Sequence, residues 1–321
     1  MSAPDPWSEW QPLSFLPSLS ERTLAELLDG GQAFRWNRQP DEHWLGTWGD
    51  CIVQIRRDEN GATHWRSPSK QCARAASALP IYFGRHAGFD ALLDALPWRS
   101  DAHLALCLKT FPGLRILRQP FGETLLGFLC SATKQIVQIK QMMELLAVRH
   151  GALLGLLPAG ERTPATLIHR LPTWSELASV PENQLRECLL GFRARYIHGT
   201  AQFLSANPGW LQETEKLSYA EAKERLCSLP GVGEKVADCV LLFGAGKMEA
   251  FPVDVWILKT LERRYGLTGW KPAQVAQFGR AHFGTAAGLA QQFLFAYERG
   301  VKKAGTAALD TREDNGQQRS E

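Results

Sequence analysis

The sequence predicts an α+β protein in which an antiparallel β-sheet domain comes first and an all-α domain follows. Three observations carry this. The first third holds short runs rich in aromatic and β-branched residues, separated by turn formers. From about Ala76 onward, apolar residues recur at helical intervals. The 321 residues, 45% hydrophobic and 21% charged, suffice for two or three packed units and are too apolar for wholesale disorder.

In the first third, strands are expected at Gln32 to Trp36, His43 to Trp48, Cys51 to Ile55 and Thr63 to Trp65, joined by turns at Asn37 to Glu42, Gly49-Asp50 and Asp58 to Gly61. Between Gly122 and His150, Leu125, Leu126, Leu129, Ile136, Ile139, Met143 and Leu146 keep a helical period around a break at Ser131-Ala132-Thr133. Further helices are predicted at 165–171, 174–179, 182–190, 194–205, 219–228, 234–245, 254–265, 272–283 and 286–299. A division into a sheet domain over 1–115, a helical domain over 116–305 and a tail over 306–321 follows. The tail has no apolar residue from Asp310 onward and is expected to be disordered.

The formal charge of +3 is uneven. Residues 1–115 carry 12 basic against 13 acidic side chains, 116–305 carry 22 against 16, and the tail 2 against 4. The helical part is therefore cationic, which permits a polyanionic partner without requiring one. Seven scattered cysteines without a Cys-x-x-Cys pair speak against a disulfide framework and for a reducing compartment. The N-terminal residues lack a signal-peptide pattern, and no apolar run reaches the roughly 18 residues of a membrane span. An intracellular protein with no membrane partner is expected.

The chemistry concentrates after the helix predicted at 219–228. Leu229-Pro230-Gly231-Val232-Gly233 allows a sharp turn whose amides, with the start of the next helix, suit a phosphate. Lys247, Lys259, Arg263 and Arg264 follow, so a nucleic-acid backbone is favoured over a free nucleotide. Lys235 lies just inside that helix on an otherwise apolar stretch, a setting that disfavours the ammonium form and makes its amine a candidate nucleophile. Nineteen positions on, Asp254 heads the periodic segment from Val255 to Tyr265; as a helix cap it would already be explained, yet an ionised carboxylate there could also stabilise a cationic sugar. Lysine and aspartate beside a phosphate-gripping turn are what base excision by Schiff-base chemistry needs.

Leu229 to Cys239, followed by Pro252-Val253-Asp254, resembles the helix-hairpin-helix DNA glycosylases, and within them the 8-oxoguanine DNA glycosylase/lyase family. Gly31-Gln32-Ala33-Phe34-Arg35-Trp36 with His43-Trp44, Phe128 to Ser131, Gly191 to Tyr196 and Gly288 to Phe295 extend the resemblance, in order, over about residues 25–300. It implies a β-sheet domain and a helix-hairpin-helix domain of two helical subdomains with the active site between them. It further implies a monomer that acts on duplex DNA containing 8-oxoguanine, a bifunctional DNA N-glycosylase and AP lyase.

By that resemblance Lys235 attacks C1′ and Asp254 steadies the developing positive charge, the base having left the stack first. The Gly31 carbonyl would accept the N7–H that marks 8-oxoguanine, Gln291 would read the Watson–Crick edge, and Phe295 and Cys239, with Phe243 nearby, would enclose the ring. Core filling is the plainer reading of Phe295 and Cys239. Phe192 stands at the wedge position and Arg193 would face the estranged cytosine. Gly231 and Gly233 would meet the phosphate, and the carbonyls of Cys227, Leu229 and Val232 would hold a structural monovalent or calcium cation that catalysis does not require.

Three departures stand out. Thr133-Lys134-Gln135 replaces an asparagine run and Gln138 an arginine, both of which help animal relatives recognise cytosine; Trp256 replaces a phosphate-contacting histidine. No cysteine follows Cys239, which excludes the iron–sulfur cluster of some glycosylases. Two other readings are a monofunctional alkylbase glycosylase, which would not use Lys235, and a non-catalytic helix-hairpin-helix DNA-binding protein, which would need only the turn.

Overall fold

A computed structural model of the chain describes residues 6–85, 88–158 and 164–300. The expected tail lies outside them. Strand β1 (Gln11–Pro12) and helix α1 (Glu21–Asp29), capped by Ser20, precede β2 (Trp36–Arg38), β3 (Trp44–Trp48), β4 (Cys51–Arg57) and β5 (Thr63–Arg66). These strands form one antiparallel sheet in the order β1-β5-β4-β3-β2. The register pairs Trp44 with Ile55 and Ile55 with Trp65, placing large side chains on one face. Helices α2 (Cys72–Tyr82), α3 (Phe89–Asp94) and α4 (Ala102–Thr110) follow. Trp36, fully buried, donates its indole N–H to Tyr82 at 2.9 Å and stacks on Trp48, so the aromatic pattern that predicted the sheet also ties it to α2.

The strand expected at 32–36 begins only at Trp36. Gln32 instead turns its amide into the core, donating to the Arg115 carbonyl and accepting from the Leu117 amide, both at 2.9 Å. Backbone groups of the chain leaving the sheet domain are thereby satisfied by a side chain 83 and 85 positions away.

The second part runs through α5 (Phe121–Leu129), α6 (Ile136–His150), a hairpin of β6 (Leu153–Leu157) and β7 (Thr166–His169), then α7 (Trp174–Ala178), α8 (Glu182–Leu185), α9 (Arg193–Ala206), α10 (Trp210–Lys216), α11 (Tyr219–Cys227), α12 (Glu234–Phe243), α13 (Val255–Tyr265), α14 (Pro272–Phe283) and α15 (287–300). The break between α5 and α6 falls where the sequence placed it. The helix predicted at 165–171 is instead the strand β7, paired antiparallel with β6. The helix predicted at 182–190 stops at Leu185; Cys188 and Leu189 leave helical geometry, Leu189 at φ +62°. Sheet and helices share one hydrophobic core, joined where Phe34 packs edge-on against Phe128 of α5.

Candidate active site

Helices α11 and α12 form a hairpin whose turn is set by Gly231. At φ +77° it occupies the left-handed region, and a Cβ there would come within 2.5 Å of the Tyr196 ring, so both conformation and space require glycine. Gly233 caps α12 with no side-chain partner and has open space where a Cβ would be. The first amides of α12 therefore face outward as an anion site.

A carboxylate at Glu234 beside such a site is unexpected, and the structure resolves it. Glu234 pairs with Lys223 of α11 at 3.4 Å. Lys223 and the Tyr219 hydroxyl also satisfy the buried Asp238, at 3.1 and 2.7 Å. This knot holds the hairpin together and draws the Glu234 carboxylate toward Lys223.

The first turn of α12 also carries Lys235, whose Nζ donates to Ser131 Oγ at 3.4 Å and lies 5.3 Å from the Phe128 ring centre. Ser131 in turn donates to the Phe128 carbonyl at 2.7 Å, which fixes its hydroxyl. In the sequence Ser131 stands in the helix break and in the Phe128 to Ser131 match to the family, with no role of its own; its contact with an amine 104 positions away leaves no local signal.

Asp254 caps α13 by accepting the Ile257 amide at 2.8 Å. Burial pushes its carboxyl above the ordinary range, while that amide and the nearby Lys235 charge pull it partly back. Both residues line one cavity of about 960 Å³ at the meeting of α5, α6, α12, α13 and α15 with the loop after α1.

The same cavity is lined by Gly31, Cys239, Phe243, Trp256, Gln291 and Phe295. Gly31, at φ +103°, approaches Ile136 so closely that a Cβ would sit 3.1 Å from its terminal carbon. The Gln291 amide donates to the Pro252 carbonyl at 3.1 Å and accepts from Gln292 at 2.7 Å, so its orientation is set before any ligand arrives. Burial pushes the Cys239 thiol up to about 12, leaving a neutral apolar group and not a competing nucleophile. Phe243 stacks on Phe128 at 5.6 Å, and both rings line the cavity.

The remaining predicted residues lie along the rim or beyond it. Phe192 is 48% exposed at the start of α9. Arg193 is only 3% exposed: it donates to the carbonyls of Ala132 and Leu190 and, at 3.0 Å, to the Thr133 hydroxyl. It thus braces two loops against each other. Gln138 accepts the Gln135 amide at 3.1 Å and so closes the first turn of α6. Arg263 and Arg264, counted among the basic residues following the hairpin, are tied to the buried Glu298 at 2.7 and 3.3 Å. At the hairpin, the Leu229 carbonyl accepts the Val232 amide at 3.2 Å, which leaves it one lone pair. All seven cysteines are free. Among the described residues no cluster of His, Cys, Asp and Glu is arranged to hold a metal, and no helix is long and apolar enough to cross a membrane.

A helical hairpin offering an anion site, with an amine and a carboxylate on the wall of an adjoining cavity, defines a base-excision DNA repair protein. Residues 131–281 match the HhH-GPD superfamily of such proteins, and residues 14–125 match the 8-oxoguanine DNA glycosylase N-terminal domain. The chain is 31% identical over 308 residues to the N-glycosylase/DNA lyase OGG1 of Arabidopsis thaliana, covering 92% of this chain and 82% of that one. The chain belongs to the 8-oxoguanine DNA glycosylase family of N-glycosylase/DNA lyases. Solved structures that share its fold include two with bound DNA. MBOgg1 in complex with a low-affinity DNA ligand aligns with TM-score 0.79 and 28% identity over 89% of this chain and 94% of that one. The Clostridium acetobutylicum 8-oxoguanine glycosylase/lyase, in complex with double-stranded DNA containing cytosine opposite 8-oxoG, gives 0.76 and 28% over 87% and 92%.

Proposed function

We propose that this protein excises 8-oxoguanine from duplex DNA and then cleaves the strand as an AP lyase, with Lys235 as nucleophile and Asp254 as the stabilising carboxylate. The observation that carries this reading is the shared cavity, lined by the amine and the carboxylate together with a carbonyl-bearing Gly31, a pre-oriented Gln291 amide and the Phe295 ring.

The extruded base enters between Phe295 and the neutral Cys239 thiol. Its N7–H donates to the Gly31 carbonyl, an acceptor that repels the N7 lone pair of ordinary guanine, while Gln291 meets the Watson–Crick edge with donor and acceptor. The Lys235 amine, in its unprotonated form, bonds to C1′ as the glycosidic bond breaks and its electrons leave with the base. Loss of a proton from nitrogen and opening of the sugar then give the Schiff base. Removal of a C2′ proton expels the 3′ phosphate, and water releases the amine. Asp254, in its ionised form, lowers the energy of the cationic sugar.

The outward amides around Gly231 and Gly233 take a DNA phosphate, and Phe192 fills the gap left in the stack. The carbonyls of Cys227, Leu229 and Val232 are oxygen donors of the kind that hold a hard structural cation there, with no part in the bond changes. One chain supplies every group, so a monomer suffices, inside the cell where its DNA resides.

Covalent trapping tests the mechanism. Incubation with duplex DNA containing one 8-oxoguanine and borohydride is expected to give a cross-linked species that disappears in Lys235→Gln. Absence of the adduct, or its persistence in that variant, overturns the assignment of the nucleophile.

A further inference from the structure

Three non-glycine residues among those described have positive φ: Glu42, Thr133 and Leu189. Leu189 is the least expected, because an aliphatic side chain gains no local hydrogen bond from the left-handed region, unlike asparagine or aspartate. Nor does burial compensate, since Leu189 is 50% exposed. Its neighbours behave differently: Cys188 and Leu190 are both fully buried. The left-handed turn reverses the direction of one side chain and sends it outward between two anchors.

The loop that carries it is held firmly. Arg186 donates to the Gly191 carbonyl and Arg193 to the Leu190 carbonyl, each at 3.2 Å. Three residues beyond Leu189 stands Phe192, also outward, set by Arg193 over its ring at 4.4 Å and by Tyr196 edge-on at 6.0 Å. Arg193 bonds this loop to Ala132 and Thr133, next to the Ser131 that accepts from Lys235. Two outward apolar side chains thus stand on one braced loop, bonded through Arg193 to the residues that follow Ser131. Strain held at an exposed apolar residue is a reason to assign it a role.

We propose that Leu189 is a second apolar wedge, entering the duplex alongside Phe192 so that two side chains fill the stack when the lesion is extruded. This rests on the reading of Phe192 as a wedge and refines it. A leucine in the stack makes no hydrogen bond to a base edge, so it supports extrusion without reading the opposite base.

The test uses Leu189→Gly, which relaxes the backbone, Leu189→Asn, which tolerates the left-handed region while losing the apolar group, and Phe192→Ala. Single-turnover excision is measured on a duplex with 8-oxoguanine opposite cytosine and on one with 8-oxoguanine opposite an abasic position, where the lesion is unpaired. Both Leu189 variants are expected to melt no lower than wild type, to lose about tenfold in rate on the paired lesion, about 1.4 kcal/mol, and to recover to within about twofold on the unpaired one. If Phe192→Ala slows excision and neither Leu189 variant does, Leu189 is no wedge and the reading of Phe192 stands. If none of the three slows it, the loop is not the wedge and both readings fall. Equal losses on the two substrates, or a lower melting point in both Leu189 variants, would assign Leu189 a structural role and overturn the proposal.

Discussion

Replacing Asp254 by Asn separates the two things this residue can do. Asn caps helices about as well as Asp, so the 2.8 Å bond from the Ile257 amide is retained. The charge is lost. Two unit charges about 4 Å apart attract by about 4 kcal/mol at an effective dielectric near 20, and an open cavity reduces this. A loss of about 3 to 4 kcal/mol in the transition state is roughly 10² to 10³ in rate. The substrate sugar is neutral before the bond breaks, so affinity for lesion DNA should change by less than about threefold. Stability should move the other way. Burial raises the Asp254 carboxyl above its unfolded value, so its contribution is favourable below the ordinary carboxylate range and is lost as pH rises through the folded value. At pH 8 the Asn variant should therefore melt at or above wild type, an advantage that vanishes in acid. Single-turnover excision, equilibrium binding to the same duplex and melting curves at two pH values complete the measurement. Equal losses in rate and affinity, or a rate reduced less than about fivefold, would refute the electrostatic role.

Excision should depend weakly on the base opposite the lesion, because Gln138 is spent on capping α6 and Arg193 on bracing loops; single-turnover rates opposite C, A, G and T test this, and a large preference for C would count against it. Burial pushes the Glu123 carboxyl up to about 7, with the Gly49 amide bonded to it at 2.8 Å. The contribution of Glu123 to stability should thus fall as pH rises from about 4.5 to about 7, by at most about 3 kcal/mol, so Glu123→Gln should lose less stability than wild type across that window. Denaturant titrations at several pH values decide it, and parallel curves would show that Glu123 is not the group responsible. DNA affinity should decline with salt with a shallow slope, about −3 to −4 on logarithmic axes. A slope near −8 would mean that many more cations reach the phosphates.

Where the sequence was legible, the structural cause was local. The hairpin turn needs Gly231 for its conformation, Asp254 caps the helix it precedes, and the α5–α6 break carries polar residues between two apolar-periodic runs. These features are written within a few positions of themselves. The errors arose where partners are distant. Thr166 to His169 has no alternation to mark it as a strand and becomes one by pairing with Leu153–Leu157. Residues 186–190 continue a helical pattern in sequence, yet the buried Cys188 and Leu190 and the Arg193 bridge to Ala132 impose a kink. Lys235 and Asp254 are proposed from their own setting, whereas Gly31, Gln291, Phe295 and Cys239 enter only through the resemblance; all six line one cavity. Ser131 was not legible, since a serine beside a distant lysine resembles any other serine.

The net charge of the helical part does not say which of its cations a phosphate can meet. Five basic side chains are engaged within the protein, but four acidic ones are engaged with them, so the rest still carries 17 basic against 12 acidic side chains. Arg263 and Arg264 flank Glu298, Lys223 serves Asp238 and Glu234, Arg193 is buried, and Arg118 pairs with Glu215 at 2.7 Å. Beside the cavity a phosphate meets Lys134 and the uncapped amides at the start of α12, the amides carrying no formal charge and releasing few counterions when they bind. Such a grip fixes one phosphate in place next to Lys235 instead of raising affinity along the duplex. A protein that must pass over undamaged DNA and act only where a base can be extruded is served by that division, with weak general attraction and strong local positioning.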